Sequence, residues 1–262
     1  MLLNIKPKKT LGQNFLINAG ILEKIVSSAE LGSDDFVLEI GPGTGNLTKL
    51  LSERAGQVIA IEKDHRLIDE LRDKFKNTNV EIVEADVLQW APLQLQRCPL
   101  QYKIVANIPY YITSNLLRTI FEKWPRPKLI VLTVQKEVAQ RIVAKPPEMN
   151  LLALSVQLYS KPEIIGYVSR GSFRPMPKVD SAIIKLTTYD QPLTTSPKMF
   201  FKLVRAGFSG KRKQLINNLA KNFGMMKEDL FKAFEKTDIK QDARAETLSL
   251  NQWIELSKLM EK

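Results

Sequence analysis

Cysteine and histidine are almost missing from this 262-residue chain, which holds one of each, Cys98 and His65. A lone cysteine excludes an internal disulfide framework, and the two residues cannot build a Cys/His zinc site from this chain alone. No metal is therefore expected. Long apolar runs are missing too: none reaches the ~18 residues that a membrane-spanning helix needs. The start, MLLNIKPKKTLGQNF, lacks the apolar core and small-residue cleavage site of a secretory signal. A cytoplasmic location and no membrane partner are the expectations. Internal repeats and long low-complexity tracts are absent as well.

What is in excess is positive charge. The net charge is +11, and residues 191–262 contribute +6 of it from 14 Lys+Arg and 8 Asp+Glu. Residues 1–22 add three lysines and no acid. Even charge would serve solubility alone; clustered positive charge points to a polyanionic partner such as nucleic acid. Hydrophobic residues make up 44% and charged residues 26%, which places the chain among globular proteins large enough for one big domain plus a small one.

The hydrophobic pattern alternates. NAGILEKIVSSAEL has helical spacing, DFVLEI reads as a buried strand, GPGTG as a tight loop and NLTKLLSERA as a helix. Strands QVIAIE, VEIVEAD, YKIVANI and KLIVLTVQ follow, with helices RLIDELRDKF and TSNLLRTIFEKW among them. EVAQRIVA and NLLALSVQLYS read as further helices, EIIGYVS and SAIIKLTT as late strands. The expected fold is α/β with an open, mostly parallel, doubly wound sheet. After YDQPLTTSPK only helical patterns remain, so residues 1–190 form the expected main domain and 191–262 a small basic helical one.

Gly41, Gly43 and Gly45 follow the first strand of a βα unit, where glycine permits a sharp turn and close ligand approach. The dinucleotide fingerprint fails because Asn46 stands at its last position, and a phosphate-cradling P-loop fails for want of the Lys-Ser/Thr pair. Alone, the loop could be a plain turn. Yet Glu62 ends the second strand, 21 positions after Gly41, where an acid can take ribose hydroxyls; Asp86 ends the third and Asn107 the fourth. Ligands of such sheets lie outside the carboxyl ends of the strands, so these residues should share one rim. Two acids and no phosphate-binding lysine suit a cationic nucleoside, of which S-adenosylmethionine is the example.

Several stretches in order, KKTLGQNFL, LEIGPGTGNLT, NIPYYITS, FRPMPKVDSAII, FSGKRKQLINNL and ARAETLSLNQW, resemble the ribosomal RNA adenine dimethyltransferase family over nearly the whole length. Tyr111 departs from it, since the family more often has Asn there. The resemblance implies a Rossmann-like methyltransferase domain using S-adenosylmethionine. It places Asn14, Leu16, Gly41, Gly43, Gly45, Glu62, Asp86, Val87 and Asn107 at the cofactor: Gly41 at the methionine part, Glu62 at the ribose, Asp86 and Val87 at the adenine. Asn107, Pro109, Tyr110 and Phe173 would form the catalytic set, and residues 1–22 would serve cofactor and RNA. The clustered positive charge, rather than the resemblance, makes Lys8, Lys9, Arg174, Lys178, Lys211, Arg212 and Lys213 the expected RNA contacts, with a solvated basic face the alternative for Lys211, Arg212 and Lys213. The implied substrate is small-subunit ribosomal RNA within an assembling subunit, and a monomer is expected.

The chemistry explains an amide, a proline and rings at a strand end. The exocyclic amine of adenine is a poor nucleophile because its lone pair is delocalised into the ring. Two acceptors aimed at its hydrogens stabilise charge as it develops on nitrogen and hold the amine in line. The Asn107 oxygen is one; a backbone carbonyl in Ile108–Tyr110 is the other. The base must leave its stack, and Tyr110 and Phe173 would receive its two faces. Tyr111 suits core or site equally. Lys211, Arg212 and Lys213 are read as beginning a helix, His65 as surface, Cys98 as incidental, and Met225 and Met226 as packing. Three rivals remain: a large-subunit resistance methylase, a non-catalytic RNA-binding or transcription factor on the same fold, and a small-molecule methyltransferase. The C-terminal ARAETLSLNQW disfavours the first, intact NIPY the second, and the basic helical domain the third.

Overall fold

The computed structural model describes residues 7–90, 102–194 and 196–261; Cys98 and Lys6 lie outside them. A short strand β1 (Phe15–Leu16) precedes α1 (Ala19–Ser28), which Asn18 caps by accepting the Ile21 N–H. Then come β2 (Phe36–Ile40), α2 (Asn46–Ser52), β3 (Gln57–Glu62), α3 (His65–Lys74) and β4 (Val80–Glu84). The alternation continues through β5 (Lys103–Asn107), α4 (Thr113–Lys123), β6 (Leu129–Gln135), α5 (Lys136–Ile142) and α6 (Leu151–Gln157). Strands β7 (Ser160–Val168), β8 (Phe173–Arg174) and β9 (Ser181–Thr188) complete the sheets.

Seven strands lie in the order β4-β3-β2-β5-β6-β9-β7, while β1 pairs separately with β8. Neighbours from β4 to β6 are parallel and β9 runs antiparallel to β6. Strand order reverses between β2 and β5, which opens a crevice at their carboxyl ends. Both faces are covered, so β2 is buried throughout its length and reads as an apolar run interrupted at Glu39 rather than an alternating one. On one face, Leu22, Ile25 and Val26 of α1 and Leu47 and Leu51 of α2 pack with Val37, Val58, Val105 and Val131. Leu67, Ile68 and Leu71 of α3 close on Ala60 and Ile82.

The chain forms two compact units, one of residues 1–139 and 162–188, the other of 140–161 and 189–262. The second unit adds α7 (Pro197–Gly207), α8 (Leu215–Phe223), α9 (Lys227–Lys236) and α10 (Leu250–Leu259). A single boundary at residue 190 misses its borrowed segment. Residues 140–161 pack with these helices: Tyr159 stacks on Phe201 at 6.3 Å, and the Met149 N–H donates to the Glu246 carbonyl at 3.0 Å. Lys211, Arg212 and Lys213 occupy a turn before α8 and do not begin that helix. Asn218, buried, shapes this turn by donating to the carbonyls of Gly207 (2.6 Å) and Gly210 (3.1 Å). Met226 is 68% exposed, so it does not pack as expected. No helix among the described residues is long and apolar enough to cross a membrane.

Candidate active site

One cavity opens at the strand-order reversal. Asn14, Leu16, Gly41, Gly43, Glu62, Asp86, Val87, Asn107, Pro109 and Tyr110 all line it, so the expected rim exists. Gly41 and Gly43 have φ of +71° and +58°, left-handed values that cost a side-chain-bearing residue. At Gly43 space is limiting as well: a Cβ would stand 2.8 Å from the Phe15 ring. Gly45 is a correction. It does not line the cavity; it starts α2, and a Cβ there would meet Phe75 at 2.8 Å and Leu71 at 3.1 Å. Its task is close packing against α3, as for the third glycine of other βα loops.

Glu62 is 6% exposed. Its Oε1 accepts the N–H groups of Lys63 and Asp64, each at 2.8 Å, and Oε2 accepts that of Gly43 at 3.1 Å. Of about four lone-pair sites on a carboxylate, one on Oε2 is left for a ligand. A second ribose hydroxyl would have to share with, or displace, the long Gly43 bond. Burial raises the Glu62 pKa despite these donors and the neighbouring Asp64 charge raises it further. Asp86 is also exposed to burial, which raises its pKa, but Lys63 Nζ at 2.7 Å and the Leu88 N–H at 3.0 Å outweigh this and hold it low.

The N-terminal segment is clamped over the same rim. Gln13 accepts from the Lys8 N–H at 2.7 Å and donates to Asp64 at 2.9 Å. Asp64 caps α3 and its carboxyl is held well below the ordinary range, chiefly by Arg66, against burial. Asn46, which spoiled the dinucleotide fingerprint, donates to the Leu16 carbonyl at 3.1 Å and ties segment to loop. Sequence reading missed Gln13 and Asp64 because their partnership spans 51 positions.

Asn107 ends β5. Its Nδ2 donates to the Asn14 carbonyl at 3.1 Å, which leaves Oδ1 accepting nothing from the described residues. Within Ile108–Tyr110 the carbonyls divide as follows. Pro109 O accepts the Ile112 N–H at 3.2 Å, and Tyr110 O accepts Thr113 Oγ1 at 3.0 Å. Ile108 O has no such partner among the described residues, so it is the acceptor left over. Tyr110 is half-buried, and its phenol meets Ser181 Oγ at 2.6 Å. Burial raises its pKa and keeps it neutral.

Phe173 is another correction. It is fully buried, sits in the core cluster with Leu16, Val168 and Ile183, and does not line the cavity. Its backbone pairs with Leu16 across β1 and β8, and that pairing turns the ring inward, so no face is open to a base. Tyr111 is 64% exposed at the cavity mouth, its ring over Gly12, and is therefore not core. Arg174, Lys178, Lys211, Arg212 and Lys213 are exposed; Lys8 stands 3.9 Å from Asp64, and the Lys9 side chain lies outside the described residues.

Glu39 escaped the sequence reading. The signal was an acid inside an apolar strand, FVLEI. It is wholly buried under the glycine loop, lines the cavity, and its Oε2 has no partner among the described residues. Burial pushes its pKa up to about 8; the nearby Thr48 hydroxyl opposes this, though without hydrogen-bonding geometry, and the Glu62 charge reinforces it. Among described lining residues the acids are Glu39, Glu62 and Asp86, and the one base, Lys63, is tied to Asp86. An orphaned buried carboxyl oxygen and an excess of acids fit a cationic nucleoside and disfavour a nucleotide phosphate. No cluster of three or more His, Cys, Asp or Glu among the described residues could hold a metal ion.

A family model for ribosomal RNA adenine dimethylase matches residues 4–262. A small-subunit ribosomal RNA methyltransferase A of Dehalococcoides mccartyi is 46% identical over 258 residues, covering 96% of this chain and 88% of that one. A protein of the same name from Clostridium botulinum is 41% identical, covering 96% and 93%. Among solved structures, a dimethyladenosine transferase from Plasmodium falciparum superposes with TM-score 0.80 at 32% identity, covering 94% and 96%. The 23S rRNA methyltransferase ErmE superposes with TM-score 0.78 at 29% identity, covering 95% and 100%.

Proposed function

The chain belongs to the ribosomal RNA adenine dimethylase family, and on that premise we propose that it methylates the exocyclic amines of two adjacent adenines of small-subunit ribosomal RNA, giving dimethyladenosine during ribosome assembly. S-adenosylmethionine supplies a methyl group already activated by its sulfonium. Glu62 holds the ribose, Asp86 and Val87 the adenine, and Asn14, Leu16, Gly41 and Gly43 the remainder, with no metal. Identity of 41–46% to proteins named for the small subunit, against 29% to ErmE, favours the small subunit.

The observation that carries the chemistry is the orientation of the Asn107 amide. With its nitrogen tied to the Asn14 carbonyl, its oxygen is the end available to accept an amine hydrogen. Ile108 O accepts the other. The two acceptors stabilise positive charge as it grows on the amine nitrogen and fix its approach. Tyr110 offers one ring face to the flipped base. The opposite face falls to a group other than Phe173 as it is placed here.

Lys211, Arg212 and Lys213 on their turn bind RNA phosphates, and Lys8, Lys9, Arg174 and Lys178 add to this from the first unit. The protein acts as a monomer in the cytoplasm on a partly assembled small subunit. Incubation with labelled S-adenosylmethionine and separated ribosomal subunits, followed by mapping of methylated bases, tests the reading. Label on paired dimethyladenosines of the small-subunit RNA is expected. Label only on large-subunit RNA, or none, refutes it.

A further inference from the structure

Ser181 opens β9 and is fully buried. Ala182, Ile183 and Ile184, which follow it along β9, are apolar and fully buried as well. A buried hydroxyl costs free energy unless it is hydrogen-bonded. Its partner is the phenol of Tyr110, 71 positions away in the chain, with the two oxygens 2.6 Å apart and either able to donate.

The mounting on each side differs. Ser181 pairs with Gln135 in the antiparallel ladder of β6 and β9. The residue before it, Asp180, is held twice: its carboxylate accepts the Arg170 N–H at 3.0 Å and its carbonyl accepts the Lys136 N–H at 3.0 Å. The hydroxyl is therefore fixed to the sheet. Tyr110 rides instead on the short 3-10 turn Tyr110–Ile112 and borders the cavity. Tyr110 is half-buried and faces the cavity on its open side, so packing constrains the ring from one side only. A hydrogen bond at the far end of the ring supplies the missing constraint.

We propose that Ser181 is a positioning residue, which pins the Tyr110 ring at the tilt that receives the target adenine. This rests on the adenine-methylating reading above. The hydroxyl touches neither cofactor nor base; it acts through Tyr110. Cofactor contacts are untouched by its removal, so its effect belongs to base placement and to the methyl-transfer rate.

The test compares wild type, Ser181→Ala, Tyr110→Phe and the double variant in single-turnover methyl transfer at saturating RNA. S-adenosylmethionine affinity is measured by calorimetry. A substrate RNA with 2-aminopurine at the target adenine reports stacking by fluorescence quenching. Loss of one hydrogen bond predicts transfer roughly three- to tenfold slower in each single variant and no further slowing in the double. Cofactor affinity should stay within about twofold of wild type, and quenching should weaken in both single variants. Wild-type rates and quenching in Ser181→Ala or in Tyr110→Phe, with at most a lowered melting temperature, would overturn the proposal and leave the function standing. The double variant falling by the product of the two single losses would overturn it as well. If wild type transfers no methyl to adenine, the functional reading fails and this inference falls with it.

Discussion

Replacing Glu39 by glutamine should change how stability depends on pH. Unfolded, the carboxyl titrates near 4.5; folded, it is pushed up to about 8. Between those values the native protein holds a proton that the unfolded chain has released. Stability is therefore fully present below pH 4.5, falls as pH rises toward 8, and levels off above it. That rise in pKa corresponds to at most ~5 kcal/mol, approached at about 1.4 kcal/mol per pH unit inside the window. Glutamine has nearly the same shape as the neutral acid and does not titrate. Urea unfolding of both proteins near pH 5.5, 6.5 and 7.5 should show the variant gaining on wild type by roughly 1 kcal/mol per pH unit. The acids held low, Glu30, Asp35, Asp64 and Asp86, act below this window. Glu62, also raised, remains in both proteins, so its own burial cost largely cancels, while its repulsion of the Glu39 charge stays part of the measured gap. A cationic ligand in the cavity that Glu39 lines favours the carboxylate, so wild-type affinity for S-adenosylmethionine should climb more steeply with pH than that of the variant, in which Glu62 still titrates. Parallel stability curves, with a constant gap at all three pH values, would refute the buried neutral acid.

Glu62→Ala removes a charge-assisted hydrogen bond worth about 1.5–3 kcal/mol, so calorimetry should show cofactor binding weakened at least tenfold; unchanged affinity in a folded variant would end the ribose assignment. Asn107→Ala should abolish transfer of labelled methyl groups, because Oδ1 is the side-chain acceptor at that strand end, and measurable turnover would remove it from the mechanism. Phe173→Ala empties a fully buried site and should cost about 3–5 kcal/mol of stability; a variant of undiminished stability that has lost transfer would restore Phe173 as a base-stacking face. Changing Lys211, Arg212 and Lys213 together to alanine should flatten the plot of log RNA affinity against log salt by about 0.7 per lost single-strand phosphate contact, with cofactor affinity intact. An unchanged slope would mark the turn as a solvated surface.

The sequence by itself determined the parts governed by local rules. Apolar runs alternating with helical spacing dictated a doubly wound sheet, and in such a sheet the strand ends share a rim. Glu62, Asp86 and Asn107 therefore met in one cavity with no knowledge of side-chain contacts. What only the tertiary structure decided were choices that local pattern leaves degenerate. An aromatic in FRPMP reads alike whether its ring faces core or cavity; pairing of Phe173 with Leu16 turned it inward. Gly45 matched the loop pattern, and only the approach of Phe75 from α3 revealed its packing role. Helical spacing in residues 140–161 shows that a face is apolar but not which unit it joins. The Asn107 amide takes its orientation from a carbonyl 93 positions away, and Tyr110 takes its pin from a serine 71 positions away. Propensity and periodicity act over a few residues, while such contacts exist only after the sheet has brought distant segments within a hydrogen bond's length.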